Sequence, residues 1–212
     1  GEESIKLQTA VTHFGKDGTS VDLIADIHMA DEAFFEGLKE RLSTYDAVLF
    51  EMIGGEKAQP GSDDPQPSGM YGNAAGTLGL SAGKGIVDHQ AANMVHADLT
   101  AEEFNRLLEE RGESMVDVLR KAVRGDSSPE RAAQRAELAQ LAGKGDPAAA
   151  KRFLLKSFGE PGSMLGNFSG ASVMIEERNQ RCIEVLKREM AAGHGKIAIV
   201  YGASHHPDME ER

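Results

Sequence analysis

Three side chains that could carry out acid–base or metal chemistry stand at or just beyond the carboxyl ends of predicted strands. They are His28, Glu51 and His205. In open α/β sheets these strand ends line the ligand crevice, so we expect the three side chains to approach one another. Two imidazoles and a carboxylate could hold a metal ion or share acid and base roles. The alternative is structural, with both histidines capping loops and Glu51 paired to an arginine.

Glu51 directly follows the apolar run at residues 47–50, so its carboxylate is expected to be buried and to need a partner. A helix predicted over about 172–193 offers Arg178 and Asn179, which stand among apolar positions. Its apolar stripe consists of Ile175, Cys182, Leu186 and Met190. Arg178 could pair bidentately with Glu51, or it could bind a substrate carboxylate or an oxyanion. A structural ion pair without a catalytic role is the alternative.

The elements that would position these side chains alternate between strand and helix. Residues 5–14 and 20–25 are typical of a hairpin closed by a Gly-Lys-Asp-Gly turn. A helix is predicted over 31–43, with Asp31 as its N-cap, and residues 46–51 are predicted to form an apolar strand. Strand, helix and strand within about thirty residues indicate a βαβ unit with parallel strands. We therefore predict an α/β fold with a central mixed β-sheet, βαβ units and flanking helices.

The middle of the chain departs from this alternation. Residues 54–85 are rich in Gly, Pro, Ser and Asp and form too long a connection for a compact domain, so we predict a mobile loop that gates the crevice. Helix-start signals predict a helical cap inserted over about 98–160. These signals are Thr100 with Glu103, Ser128 before Pro129, and Asp146 before Pro147. A buried strand at 196–201 follows the last helix, and we expect one domain over 1–212.

Composition restricts the partners of the chain. The 212 residues carry 34 acidic and 23 basic side chains, and the resulting formal charge of −11 repels nucleic acid. No apolar run reaches the length of a membrane span. The single cysteine, Cys182, excludes an internal disulfide and is expected in the core, which leaves the cellular compartment open, including export with removal of a signal segment. The sequence does not decide the oligomeric state, and a homodimer is compatible with it.

Five stretches of the sequence carry a resemblance to a known family. They are VDLIADIHMADEAFFEGL at 21–38, YDAVLFEM at 45–52, VHADLTAEEF at 95–104, EERNQRCIEVL at 176–186 and the segment 199–212. On these stretches the chain resembles the TraB/Tiki family, which is grouped with the pheromone-shutdown and GumN-like proteins. The family's second GxxH motif is present at residues 202–205. Residues 25–28 match its first motif, with alanine in place of glycine.

The resemblance implies a fold related to the erythromycin-esterase and ChaN-like group, with a site made of five residues. His28, Glu51, Arg178 and His205 would be catalytic, and Asn179 would bind substrate. Tiki-like members are similar to metal-dependent peptidases that use Mn or Co. We therefore expect a peptidase-like metal-dependent hydrolase acting on a peptide or small molecule, in which His28 and His205 hold the metal.

The same resemblance also supports two alternative hypotheses about function. Members of the wider group hydrolyse esters with His and Glu and need no metal, in which case His28 would be the general base and Glu51 would orient it. ChaN-like members bind haem, so the chain could instead be a protein that binds haem or another ligand without catalysis, with the two histidines as axial or pocket ligands.

Overall fold

The computed structural model describes residues 6, 8–27, 29–55, 81–82, 89, 91–112, 114, 129–144, 147–158 and 173–212. Its strands are β1 (Val11–Lys16), β2 (Thr19–Asp26), β3 (Met29–Ala30), β4 (Ala47–Phe50), β5 (Ser81–Ala82), β6 (Met94–His96) and β7 (Lys196–Gly202). Its helices are α1 (Glu32–Leu42), α2 (Ala101–Glu110), α3 (Pro129–Gly143), α4 (Pro147–Phe158), α5 (Arg178–Ala191) and α6 (His206–Glu211). A π-helical turn, Val173–Glu177, leads into α5, and a 3-10 turn, Ala203–His205, leads into α6. The predicted α/β fold is confirmed.

A five-stranded mixed sheet with the order β1-β2-β7-β4-β6 forms the centre of the fold. β1 and β2 are antiparallel, and every other neighbouring pair is parallel. The hairpin turns at Asp17 and Gly18, which both have positive φ (51° and 83°), the backbone of a type I′ turn. The predicted parallel direction of β2 and β4 is confirmed, although β7 lies between them. β6 was not predicted, since its three residues adjoin the segment that we expected to be helical.

Two layers of apolar side chains cover the sheet, one on each face. Successive residues of β7 alternate between them, because side chains along a strand point to opposite faces. Ile197, Ile199 and Tyr201 pack towards α5, whereas Ala198 and Val200 pack towards α1. Parallel strands that are buried on both faces give the continuous apolar runs that the sequence shows at 47–50 and 197–201.

The helices begin close to where their sequence signals place them. Thr100 and Glu103 form the predicted capping box, and α3 and α4 begin at Pro129 and Pro147. Asp31 occupies the N-cap position of α1, but its side chain makes no capping hydrogen bond and pairs instead with Lys151. None of the described helices has the length and apolar character needed to cross a bilayer.

The predicted apolar stripe of α5 is wrong at one position. Met190 is exposed, whereas Val185 and Glu189 are buried together with Cys182. Cys182 belongs to the core layer between α5 and the sheet, as expected, and burial raises the pKa of its thiol.

A polar cluster centred on the buried Asp22 ties the hairpin to α1 on the other face of the sheet. Asp22 on β2 accepts hydrogen bonds from the Tyr45 hydroxyl and from Arg41 Nη2 at 3.2 Å, and its other oxygen lies 2.7 Å from His13 Nδ1. Burial opposes ionisation of Asp22, but the bonds with Tyr45, His13 and Arg41 outweigh burial and hold the pKa of this carboxyl below its ordinary value.

We predict that Tyr45→Phe lowers the free energy of unfolding by about 1–2 kcal/mol, because it removes a hydrogen bond to a charged acceptor. Urea unfolding measures the loss. The loss should shrink in an Asp22→Asn background, where the charged acceptor is gone. Because the folded pKa of Asp22 is lowered, the ionised carboxylate stabilises the fold above a pH of about 4, and this contribution disappears as the pH falls further. Additive effects of the two substitutions at neutral pH would contradict this account.

Candidate functional site

The candidate site lies where the carboxyl ends of β4, β6 and β7 meet the first turn of α5. Glu51 follows β4 and Asp98 follows β6 after one intervening residue. Residues 192–195 connect α5 to β7, so the helix runs opposite to the strand and its first residue, Arg178, lies at the carboxyl edge of the sheet. His205 ends the 3-10 turn that follows β7. The fold thus brings four polar side chains from distant parts of the chain to one edge.

Arg178 is the centre of this cluster and is only 4% exposed. Its Nε and Nη2 atoms donate to the two oxygens of Asp98 at 2.9 and 2.6 Å, which is a bidentate pair. Nη2 also donates to Glu51 Oε1 at 2.7 Å. Burial by itself would lower the pKa of the guanidinium, but the charge of Glu51 and the hydrogen bonds to Asp98 raise it above its ordinary value. Arg178 is therefore a permanent buried cation.

Glu51 is held from its other side by the backbone of the GxxH segment. Its Oε2 atom accepts a hydrogen bond from the Gly202 amide at 2.6 Å. A Cβ atom at Gly202 would lie 3.3 Å from that oxygen, closer than ordinary van der Waals contact. Because Gly202 has no side chain, the Glu51 carboxylate can approach the end of β7. This explains why a glycine stands at the first position of the GxxH segment.

His205 faces the same carboxylate with a nitrogen that carries no proton. Asn179 Nδ2 donates to the His205 carbonyl at 3.0 Å, so the amide oxygen Oδ1 faces His205 Nδ1 at 2.6 Å. Because an amide oxygen only accepts, Nδ1 carries the imidazole proton and Nε2 keeps its lone pair. Nε2 lies 3.6 Å from Glu51 Oε1 and 3.4 Å from Arg178 Nη1.

Burial is the largest cause of the lowered pKa of His205, which falls to about 4 even though the charge of Glu51 acts to raise it. The positive charge of Arg178 lowers this pKa further. The imidazole is therefore neutral at neutral pH, and its contact with Glu51 is not an ion pair there. A neutral imidazole beside an ionised carboxylate offers two proton acceptors at one point, which suits general-base chemistry or the binding of a cation.

Four of the five residues expected at the site come together in this way: Glu51, Arg178, Asn179 and His205. His28 lies outside the described residues, so its expected approach stays a prediction. Asn179 is fully buried, and its amide is engaged with His205, which is a positioning role. The expected contact of Asn179 with substrate also stays a prediction, as does the mobility of the loop at 54–85, of which the structure describes only 54–55 and 81–82.

Asp98 is the member of the cluster that we did not expect from the sequence. Its side chain is completely buried, and besides Arg178 it accepts a hydrogen bond from the Leu99 amide at 2.7 Å. The signal was present, since an acidic residue stands two positions after the Met-Val-His segment of β6. It was missed because β6 itself was not recognised as a strand.

Comparisons with known proteins do not add to the assignment: no family model, no curated protein and no solved structure matches the chain. What the structure defines is an α/β domain with a buried Glu-Asp-Arg-His cluster at the carboxyl edge of its sheet. Within the described ranges, no group of three His, Cys, Asp or Glu side chains is arranged to hold a metal ion.

We predict that Asp98→Asn destabilises the protein by roughly 3 kcal/mol, because the new amide turns an N–H group towards Arg178 and removes half of the counter-charge of a buried cation. Chemical denaturation at neutral pH gives the difference. Asp31→Asn is the matched control, since the Asp31 side chain pairs with Lys151 but is itself 77% exposed. The control should change stability by less than about 1 kcal/mol, and equal effects of the two substitutions would contradict the proposed importance of the buried pair.

Proposed function

We propose that this chain is a hydrolase of peptides or small molecules whose reaction centre includes Glu51, Arg178 and His205. The proposal agrees with the resemblance to the TraB/Tiki family. The observation that carries it is the position of His205 Nε2, 3.6 Å from Glu51 Oε1 and beside a buried guanidinium, while Nδ1 faces the Asn179 amide oxygen, so that Nε2 is inferred to be the unprotonated nitrogen. A water molecule at this point would meet two proton acceptors at once, which is the arrangement that water activation needs.

Each residue would have a separate task in this reaction. Glu51 or His205 Nε2 would take a proton from the attacking water and return it to the leaving group. Arg178 and the Gly202 amide would keep Glu51 ionised and fixed in position through their bonds of 2.7 and 2.6 Å. Arg178 would also stabilise negative charge that develops on the carbonyl oxygen of the substrate, since a preorganised cation in a buried site is effective there.

The donor chemistry of the site fits a divalent ion, and we propose Mn or Co. An imidazole nitrogen without a proton and a carboxylate oxygen are ligands that suit such ions. His205 would supply the first and Glu51 the second or a base, and His28 is the further ligand that the resemblance implies. When bound, the ion would supply Lewis-acid activation, which brings the pKa of water towards about 7.

One observation favours a second candidate, hydrolysis without a metal. Arg178 Nη1 lies 3.4 Å from His205 Nε2, so a positive charge already faces the lone pair that a metal would use. In that case His205 and Glu51 would act directly on water, and the guanidinium would stabilise the charged groups of the transition state. Metal content of the purified protein, measured together with turnover, separates the two candidates.

We predict different defects for His205→Ala and Glu51→Gln when the proteins are assayed on a peptide mixture with added Mn or Co. His205→Ala should lower metal affinity, and high metal concentration should restore part of the rate. Glu51→Gln should retain the metal, if Glu51 is the base, and lose roughly 100-fold in turnover, because the amide cannot accept a proton. Metal binding is measured by calorimetry and turnover by mass spectrometry.

The matched controls are His13→Ala and Glu40→Gln, which remove the same groups from exposed positions outside the site. Both controls should retain wild-type turnover and metal affinity. If the wild-type protein binds no divalent ion and both site variants remain fully active, the metallohydrolase proposal is wrong. A haem titration followed by its Soret absorption then tests the ligand-binding alternative.

A further inference from the structure

The histidine of the proposed centre is connected to the protein surface by a chain of hydrogen bonds. Beyond His205, the Asn179 amide nitrogen also donates to Asp208 Oδ2 at 2.7 Å. Arg212, the residue that follows α6, donates to the two oxygens of Asp208 at 2.6 and 3.1 Å. Asn179 is fully buried, whereas about a third of the Asp208 side chain is exposed. Asp208 thus binds the Asn179 amide from the solvent-exposed side, whereas the contact between Asn179 and His205 is buried.

The chemistry of these groups fixes the direction of every bond. An ionised carboxylate can only accept hydrogen bonds, so the group of Asn179 that faces Asp208 must be the NH₂. The amide oxygen is then turned towards His205 Nδ1, and only a protonated Nδ1 can bond to it. Arg212 favours the ionised form of Asp208, and its hydrogen bonds are the largest cause of the lowered pKa of this carboxyl.

We infer that Asp208 is a positioning residue that acts through Asn179 to hold His205 as the Nδ1–H tautomer, with the Nε2 lone pair presented to Glu51. The catalytic consequence rests on the proposed hydrolase function, but the tautomer does not. Without the carboxylate, the Asn179 NH₂ group keeps its hydrogen bond of 3.0 Å to the His205 carbonyl but loses the one to residue 208. The amide can then turn more readily, and a turned amide would stabilise the opposite tautomer, whose Nε2 carries the proton and cannot act as a base.

The test is nitrogen NMR of the His205 imidazole in the intact 212-residue chain at neutral pH, combined with turnover of a peptide mixture. In the wild type, Nδ1 should show the shift of a protonated nitrogen and Nε2 that of a bare one. Asp208→Ala should move the two shifts towards each other. It should also lower kcat about ten-fold with little change in KM, as expected for loss of one hydrogen bond to a charged group. Thermal melting confirms that the variant is folded.

Two further variants separate positioning from a general effect of charge. Glu211→Ala removes an exposed carboxylate from the same short helix and should leave the imidazole shifts and the turnover unchanged. Asp208→Asn keeps an oxygen that can accept from Asn179, so its shifts should remain close to those of the wild type.

The inference is overturned if Asp208→Ala leaves the His205 shifts unchanged, or if Asp208→Asn disturbs them as much as Asp208→Ala does. A wild-type protein that hydrolyses nothing, but whose tautomer responds to Asp208→Ala as expected, supports the positioning role and counts against the hydrolase proposal alone.

Discussion

The burial of the Arg178 guanidinium is the constraint on which the organisation of the site depends. A cation removed from water is tolerated only when counter-charges surround it at hydrogen-bonding distance. Here the counter-charges come from Asp98 and Glu51, which follow two neighbouring strands, and the cation comes from the first turn of α5, which packs against the sheet. The relative placement of β4, β6 and α5 must therefore satisfy these bonds as well as the apolar layer beneath them. A helix shifted by one turn would leave the cation without partners.

The same buried cation shapes the proton chemistry of its neighbours in opposite ways. It stabilises the negative charge of Glu51 and opposes a positive charge on His205, whose pKa burial already lowers to about 4. A carboxylate and a neutral imidazole can then coexist at 3.6 Å without exchanging a proton. Pairs of titratable groups whose environments separate their protonation states are typical of acid–base sites. The same buried ion network therefore stabilises the fold and is the basis of the proposed acid–base chemistry.

Much of the fold and part of the site could be predicted from the sequence, for reasons that particular residues make clear. Glu51 directly follows the apolar run at 47–50 and His205 lies four residues beyond the run at 197–201, so the predicted strand ends located both. Arg178 was visible beside Asn179, which interrupts the apolar stripe of the last long helix. β6 has only three residues, which is too short for periodicity to reveal, and Asp98 was missed with it. The support of His205 by Asp208 depends on the orientation of an amide, which no spacing of residues encodes. The strand order could not be predicted from the sequence either, because tertiary packing decides that β7 lies between β2 and β4.

The most direct test of the central claim is hydrolysis of a peptide mixture in water labelled with heavy oxygen, comparing the wild type with Arg178→Lys. Lysine keeps the positive charge but cannot bond to both oxygens of Asp98 and to Glu51 in the same geometry. The account predicts heavy oxygen in the new carboxyl groups formed by the wild type. It predicts a loss of roughly 100-fold or more in Arg178→Lys, provided that thermal melting shows the variant to be folded. Unlabelled products, or equal turnover by the wild type and a folded Arg178→Lys protein, would contradict it.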